Sequence, residues 1–445
     1  MTLPELAAAR RPIRRLDPRT VERIAAGEVV ERPASVVKEL IENAIDAGAT
    51  EVRVHLVGGG MTALRVDDDG WGIPPEELPL AVERHATSKL GSAEELAGIG
   101  TLGFRGEALA SIATVARLSL TSRVASDDAA HQIRLSGGTV EGTSVAGRPP
   151  GTTVEVRDLF YNTPARRKFL RSPASEQVEV ATTVERMYLA RPEVGITLST
   201  EAGELGRYPR STSLRDAAAR VFGPEFLAQS FPVEAPLGGD GRIEAVLGRP
   251  SVHRPTSGAL HLAVNGRAIV SRPLAQAVRA AFIDFLPRAR FPVGVVSLRL
   301  PADRVDVNVH PTKREVRFAD ERGLYEMLRS RVRESLLQVV HVAEPAEPLH
   351  PVGSAARSRP VPVPTALPRP RVTAGRQRSL VDAPSAPALA ATARHPALRL
   401  LGCMFNLYWV AESEASLVLV DQHAASERVV FDALRREGRL GRQEL

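Results

Sequence analysis

Residues 38–48, with the sequence KELIENAIDAG, combine an apolar stripe with a polar stripe on one predicted helix. The apolar residues recur at the helical period of about 3.6 and are expected to face a core; they are Val36, Val37, Leu40, Ile41, Ala44 and Ile45. Glu39, Asn43 and Asp46 are spaced by one helical turn along the other face. Gly48 is expected to end the helix.

The spacing of these polar residues indicates chemistry on phosphate groups. A carboxylate at Glu39 could polarise a water molecule, and the amide oxygen of Asn43 one turn later could ligand a hard cation that bridges phosphate oxygens. The alternative is an ordinary solvated helix face, which is common on amphipathic helices. The segments that follow decide between the two interpretations.

The next informative segment is DDDGWGI at residues 67–73, which follows a strand-like stretch at residues 52–57. Asp68 is expected at a strand end, where a buried carboxylate can accept a hydrogen bond from an exocyclic amine. Gly70 and Gly72 would allow a flat ring to approach the backbone closely. Taken alone, Asp-x-Gly-x-Gly is more often an ordinary turn.

A glycine-spaced segment with Gly98, Gly100 and Gly103 then leads into a predicted helix. Free backbone N–H groups and the positive end of the helix dipole make such a junction an anion site, with roughly 0.3–1 kcal/mol for each charge interaction. The loop is not a Walker motif, because no G-x-x-x-x-G-K-[ST] sequence occurs in the chain. Residues 151–153 (GTT) open another predicted strand.

The chain thus has, in order, a helix with Glu39 and Asn43, an Asp-x-Gly-x-Gly segment, a glycine-spaced loop and a strand that starts at residues 151–153. This order resembles the ATP site shared by gyrase, the ninety-kilodalton heat-shock chaperones, histidine kinases and MutL. Four further segments narrow the resemblance to the MutL family: 27–33 (GEVVERP), 85–89 (HATSK), 103–109 (GFRGEAL) and 160–169 (FYNTPARRKF). The resemblance covers residues 13–340 closely and the last stretch in part. It implies an ATPase of DNA mismatch repair, with an N-terminal α/β sandwich of the Bergerat type.

The resemblance also implies roles for individual residues. Glu39 would be the general base, Asn43 the Mg²⁺ ligand and Asp68 the reader of adenine. The remaining nucleotide contacts and the lid over the phosphates would comprise Gly70, Gly72, Thr87, Ser88, Lys89, Gly103, Phe104, Arg105, Gly106 and Thr153. Asp69 stands where the family commonly has Asn, and it is expected to add negative charge near the nucleotide.

Composition is consistent with this interpretation. A length of 445 residues predicts about two to four domains, and the 43% hydrophobic content is sufficient for their cores. The net charge of +6 favours an anionic partner, although charge alone is weak evidence. We expect a cytoplasmic protein without a membrane partner, because the chain has no long apolar run or secretion signal and its single Cys403 excludes an internal disulfide.

The chain is expected to have four parts: an ATPase domain at residues 1–215, an S5-like α/β transducer domain at 216–340, a disordered Pro- and Arg-rich linker at 341–397, and the start of a C-terminal α/β dimerisation and endonuclease domain at 398–445. In the second domain, the resemblance implies that Lys313, which follows His310 and Pro311, reaches the γ-phosphate of ATP from outside the first domain and acts in catalysis. A charge-assisted contact of this kind would join the domains only when the third phosphate is present.

Basic residues of the first two domains are candidates for DNA contacts: Arg166, Arg167, Lys168, Arg171, Arg267 and Arg272. The alternative for each is a solvating charge with no ligand. No zinc finger or recognition helix is visible in the sequence, so we expect sequence-independent and salt-sensitive binding to double-stranded and single-stranded DNA.

Near the C-terminus, Asp421, His423 and Glu427 have a spacing suited to a transition metal such as manganese or zinc. The segment resembles the endonuclease motif of nicking MutL proteins, but Asp432 stands where that family has a final glutamate. The chain also ends at Leu445, before the later metal-binding motifs of the family. We therefore expect a truncated chain that does not cut DNA by itself, whereas the full-length protein is expected to nick.

Three functions are weighed. The first is a homodimeric, ATP-driven repair clamp that acts after mismatch recognition by MutS and nicks DNA, with the sliding clamp as a further candidate partner. The second is the same clamp acting as a matchmaker without nuclease activity. The third is a topoisomerase or chaperone ATPase, which residues 160–169 disfavour. The motif at residues 421–427 favours the first function over the second.

Overall fold

The computed structural model describes residues 14–15, 17–89, 101–103, 106–287, 289–307, 316–341, 399–404, 408–413, 416–421 and 425. They fall into two compact units, one within residues 1–351 and the other within residues 352–445. Within the described residues, no helix is both long enough and apolar enough to cross a membrane. Most of the linker predicted at 341–397 lies outside the described residues.

An eight-stranded sheet forms the first part of the larger unit. Its strands are β1 (Glu51–Val57), β2 (Ala63–Asp68), β3 (Arg117–Arg123), β4 (Ala130–Ser136), β5 (Thr139–Ala146), β6 (Gly151–Arg157), β7 (Gly195–Thr200) and β8 (Gly203–Tyr208). Their order in the sheet is β5-β4-β3-β6-β2-β1-β7-β8. β1 and β7 are parallel, and the other neighbouring strands are antiparallel.

Helices form the second layer of this domain. They are α1 (Pro18–Val29), α2 (Pro33–Asp46), α3 (Leu78–Ala81), α4 (Ala108–Val115), α5 (Pro164–Arg167) and α6 (Pro173–Ala190). Side chains alternate across β1, so that Val52, Val54 and Leu56 are fully buried while Arg53 is exposed. The sheet therefore covers its apolar face with helices, in an α/β sandwich.

Helix α2 follows the sequence pattern closely. The predicted apolar stripe is buried in the core, with Leu40 and Ile41 at 3% and 0% exposure. The helix ends at Asp46, and Gly48 follows with a φ of 69°, the left-handed conformation common just after a helix. On the polar face Glu39 is also buried, with 5% exposure, and Asn43 and Asp46 are partly buried. The alternative of a solvated helix face is therefore wrong.

A five-stranded sheet forms the second part of the larger unit. Its strands are β9 (Ser230–Pro236), β10 (Arg242–Gly248), β12 (Leu260–Val264), β13 (Arg267–Ile269) and β15 (Gly294–Arg299), in the order β13-β12-β15-β10-β9. Helices α7 (Leu214–Phe222) and α8 (Pro224–Ala228) precede it, and α9 (Arg272–Ala281) and α10 (Glu321–His341) contribute to its core. Two short ladders pair β11 (His253–Arg254) with β14 (Phe291–Pro292) and β16 (Val305–Asp306) with β17 (Arg317–Phe318).

The smaller unit contains a three-stranded antiparallel sheet of β18 (Arg399–Met404), β19 (Tyr408–Ser413) and β20 (Ser416–Asp421). Asp421 ends β20, as the sequence predicts. The mixed α/β class predicted for the chain is confirmed.

Candidate functional site

A cavity of about 680 Å³ lies beside α2 and β2 in the first domain. Its volume is within the range of small-molecule sites. The residues from the sequence prediction that line it are Glu39, Asn43, Asp68, Gly72, Thr87, Ser88, Lys89, Gly103 and Gly106. Tertiary structure thus gathers residues from four separate segments of the chain around one space. Gly70 and Thr153 are adjacent in sequence to lining residues but do not line the cavity.

The candidate base Glu39 belongs to a buried group of charges. Lys38 Nζ lies 3.1 Å from Glu39 Oε1 and 2.8 Å from Glu42 Oε1. Burial disfavours the charged form of Lys38, but the two carboxylates outweigh it and raise the pKa of the ammonium above its ordinary value. Lys38 therefore stays protonated and holds Glu39 in place beside the cavity.

Asn43 and Asp46 face a common cation, the ammonium of Lys89. Lys89 Nζ donates to Asn43 Oδ1 at 2.9 Å and to Asp46 Oδ2 at 2.6 Å. Amide and carboxylate oxygens are also the donors that Mg²⁺ accepts. The residues present therefore fit a hard cation.

Asp46 also binds the backbone of a neighbouring segment, which the sequence did not predict. Its two carboxylate oxygens accept hydrogen bonds from the backbone N–H groups of Leu102 and Gly103, each at 2.8 Å. These contacts attach the end of the glycine-spaced segment to α2. A Cβ on Gly103 would lie 2.8 Å from Lys89 Nζ, so a larger residue there would displace the lysine side chain.

Asp68 lies at the end of β2, with its carboxylate oriented by the backbone. Its Oδ1 accepts hydrogen bonds from Gly70 N at 2.9 Å and from Thr152 N at 3.1 Å. Burial, the dominant influence, raises the pKa of this carboxyl above its ordinary value despite the two N–H donors. Among the described residues none donates to Oδ2, which leaves this oxygen as the acceptor for a ligand amine.

Gly70 and Gly72 were expected to allow a flat ring to approach the backbone, but the structure gives a different explanation for them. A Cβ on Gly72, whose φ is 80°, would lie 2.1 Å from the carbonyl oxygen of Arg123. A Cβ on Gly70 would lie 2.6 Å from the carbonyl oxygen of Ala47. The protein's own backbone therefore requires both glycines.

Asp69 does not line the cavity. Its Oδ1 accepts hydrogen bonds from the backbone N–H groups of Thr50 and Glu51, at 2.7 Å and 2.9 Å, and its Oδ2 accepts from the Thr50 hydroxyl. Partial burial favours the neutral form, but these donors outweigh it and hold the pKa of Asp69 below its ordinary value. Asp69 was expected to add negative charge near the nucleotide, but its carboxylate instead binds the backbone at the start of β1.

The N-terminal end of α4 meets the cavity, since Glu107, Ala108 and Leu109 line it. The junction between the glycine-spaced segment and the helix therefore lies at the cavity, as predicted for an anion site. Trp71, which is 67% exposed, also lines the cavity and was not among the predicted residues. The sequence analysis did not assign Lys38 or Glu42 to the site. Their i, i+4 spacing on one helix could have indicated the ion pair between them.

The predicted DNA-binding residues divide into two groups. Arg167, Lys168, Arg171 and Arg272 are exposed, and Arg166 is partly buried. Arg267 is only 4% exposed, because its guanidinium packs against Glu42 and the carbonyl oxygen of Thr101. This burial disfavours the predicted contact of Arg267 with DNA phosphates.

Several predicted residues lie outside the described part of the chain: Phe104, Arg105, His310, Lys313, His423, Glu427 and Asp432. Of the candidate nuclease ligands, the structure describes Asp421, which is exposed at the end of β20. The nuclease metal site stays a prediction.

Three family models match the chain. The model described as histidine kinase-, DNA gyrase B- and HSP90-like ATPase matches residues 31–155, and the one described as DNA mismatch repair protein, C-terminal domain, matches residues 218–337. The MutL C terminal dimerisation domain model matches residues 401–445.

Curated relatives resemble nearly the whole chain. DNA mismatch repair protein MutL of Anaeromyxobacter dehalogenans (strain 2CP-1 / ATCC BAA-258) is 42% identical, over 94% of this chain and 74% of the relative. The MutL of Ralstonia nicotianae is 39% identical, over 96% of this chain and 75% of the relative. A crystal structure described as the N terminal domain of a DNA repair protein shares the fold, with a TM-score of 0.63 and 24% identity over 72% of this chain and 99% of that one.

Proposed function

Because this chain belongs to the MutL family of DNA mismatch repair proteins and carries an ATPase domain of the gyrase and HSP90 class, we propose that it hydrolyses ATP in the cavity beside α2. The observation that carries this proposal is the gathering of Glu39, Asn43 and Asp68 around one cavity of suitable size. A carboxylate for the water, an oxygen for the cation and an acceptor for the base are the groups that such a reaction needs.

In this mechanism Glu39 takes a proton from the attacking water. Lys38 holds the Glu39 carboxylate in place through the contact of 3.1 Å. Asp68 Oδ2 accepts a hydrogen bond from the exocyclic amine of adenine. Asn43, with Asp46 behind it, would hold Mg²⁺, which when bound neutralises charge on the phosphate oxygens.

The loops around the cavity complete the proposal. Thr87, Ser88 and Lys89 line one side of it, and Gly103 and Gly106 line another. We assign these residues, with Phe104 and Arg105 between them in sequence, to a lid over the phosphates. Lys89 would contact the phosphates from this lid, and in this structure its ammonium donates to Asn43 Oδ1. Lys313 would add a contact to the γ-phosphate from the second domain.

Replacing Glu39 tests the role of base. Glu39→Gln keeps the size of the side chain but removes its basicity, so hydrolysis should fall roughly 100- to 10000-fold while ATP binding is retained. Asn43→Ala should instead weaken the binding of Mg²⁺-ATP. Steady-state phosphate release and titration calorimetry measure the two quantities. Unchanged turnover in Glu39→Gln would contradict the assignment.

The clamp function is proposed at the level of the whole protein. ATP would order the lid and bring the two N-terminal domains of a homodimer together around DNA, and hydrolysis would reopen them. The match of residues 401–445 to the MutL dimerisation domain model supports the homodimer. The names of the relatives support a role in mismatch repair. In this role MutS would act before the protein, and the sliding clamp would be a further partner. The process would take place in the cytoplasm.

The proposed repair clamp could act in two ways, as an endonuclease that nicks DNA or as a matchmaker without nuclease activity. We favour the endonuclease, because Asp421 ends β20 and is followed in sequence by His423 and Glu427 as ligands for manganese or zinc. The test is nicking of supercoiled plasmid with manganese by the protein expressed from its complete gene. Activity that disappears in Asp421→Asn supports the endonuclease, and its absence from both proteins supports the matchmaker.

A further inference from the structure

Arg267 belongs to the second domain by sequence and to the first domain by its contacts. It starts β13, the edge strand of the five-stranded sheet, directly after a tight turn at Asn265 and Gly266. Its guanidinium Nη1 lies 3.7 Å from Glu42 Oε1, and its Nη2 donates to the carbonyl oxygen of Thr101 at 3.2 Å. Both partners lie beside the cavity, on α2 and on the segment before Gly103.

The contact continues a chain of buried charges toward Glu39. Glu42 Oε1 is 2.8 Å from Lys38 Nζ, and Lys38 Nζ is 3.1 Å from Glu39 Oε1. Each of these side chains is at most 7% exposed, and the cations Lys38 and Arg267 both lie against Glu42. Buried charges depend on their partners far more than surface charges do, so removal of one member forces the others to rearrange.

We propose that Arg267 is an interdomain positioning residue, which fixes Glu39 through Glu42 and Lys38 and makes the rate of ATP hydrolysis depend on how the second domain is seated. This inference rests on the proposed role of Glu39 as base. When Arg267 is in place, Glu42 is shared between two cations, and Lys38 remains available to Glu39. When Arg267 is withdrawn, Glu42 draws Lys38 away and Glu39 loses its fixed position.

The direct test is Arg267→Met, which removes the charge and keeps most of the apolar volume. Because a shift of about 1 Å at a reacting group can cost roughly 100-fold in rate, kcat for ATP hydrolysis should fall roughly 10- to 100-fold. The affinity for ATP should change less than about twofold, since Arg267 does not line the cavity. Arg242→Met is the matched control, because Arg242 is exposed on β10 of the same sheet. It should behave as the wild type.

Restoring the charge balance separates positioning from a general loss of packing. The double variant Glu42→Gln with Arg267→Met removes one buried carboxylate together with one buried cation, and its kcat should exceed that of Arg267→Met alone. A purely structural role predicts additive loss instead. Arg267→Lys keeps the charge but not both contacts, so its kcat should lie between those of the wild type and Arg267→Met.

The outcomes are distinct. A wild-type kcat in Arg267→Met, or equal losses of kcat and ATP affinity without recovery in the double variant, overturns the inference. If Arg267→Met does not fold, Arg267→Lys decides, and a wild-type kcat there also overturns it. If Glu39→Gln turns over normally, the proposed function itself fails. An inactive Glu39→Gln together with a wild-type kcat in Arg267→Met overturns only the positioning role.

Discussion

Replacement of Asp46 by alanine should release the loop beside the cavity. The Asp46 side chain is 5% exposed and accepts three hydrogen bonds, from Lys89 Nζ at 2.6 Å and from the N–H groups of Leu102 and Gly103 at 2.8 Å. A hydrogen bond to a charged group contributes about 1.5–3 kcal/mol. The two backbone bonds, taken as less than additive, therefore hold the loop with about 3 kcal/mol.

Amide hydrogen exchange measures this local free energy directly. Because about 1.4 kcal/mol corresponds to a tenfold change in an equilibrium constant, about 3 kcal/mol predicts roughly 100-fold faster exchange at Leu102 and Gly103 in Asp46→Ala. Amides of β1 should change far less, since they lie in the centre of the sheet. Asp128→Ala is the control, because Asp128 is exposed and away from the cavity. Exchange at Leu102 and Gly103 that is equal in the two variants would refute the reasoning.

Three further predictions concern the γ-phosphate, DNA and pH. Lys313→Ala should slow ATP hydrolysis and impair ATP-driven compaction while ADP affinity stays nearly unchanged; equal losses of ATP and ADP binding in calorimetry would show a structural charge instead. Arg272→Ala should lower DNA affinity and reduce the salt slope of binding by about 1, whereas Arg267→Met should leave that slope unchanged because Arg267 is buried; equal slopes in titrations at several salt concentrations would contradict this. Burial lowers the pKa of His261 to about 4 from 6.5, so the unfolded state binds the extra proton between these values and stability should fall as the pH drops from 6.5 to 4, by up to about 3 kcal/mol. Urea denaturation should show a weaker loss over that window in His261→Phe, and an identical pH dependence would count against the shift.

The local elements of this protein follow from its sequence. The helical period of apolar residues predicts α2 and its buried face, and Gly48 predicts where the helix ends. The strand-like stretch predicted at residues 52–57 likewise becomes β1. Periodicity carries this information because the face of an element is set by neighbours within one or two turns.

The motifs also predicted which residues meet, because their order along the chain matches that of a known family of ATP sites. What they did not supply is the partner of each polar group. The sequence placed Lys89 over the phosphates, whereas its ammonium is shared by Asn43 and Asp46. Motif order gives proximity, but a hydrogen bond depends on side-chain direction within a few tenths of an ångström.

Tertiary structure alone decided the role of Arg267. From the sequence, an arginine after a turn is indistinguishable from the exposed arginines around it, and we expected a DNA contact. Its partner Glu42 is 225 residues earlier in the chain, and only the packing of the two domains brings the charges to 3.7 Å. The sequence determined the elements and the chemical groups of the site, since these depend on local pattern. The pairing of buried charges depends on contacts between distant segments, so it was fixed only when the domains packed together.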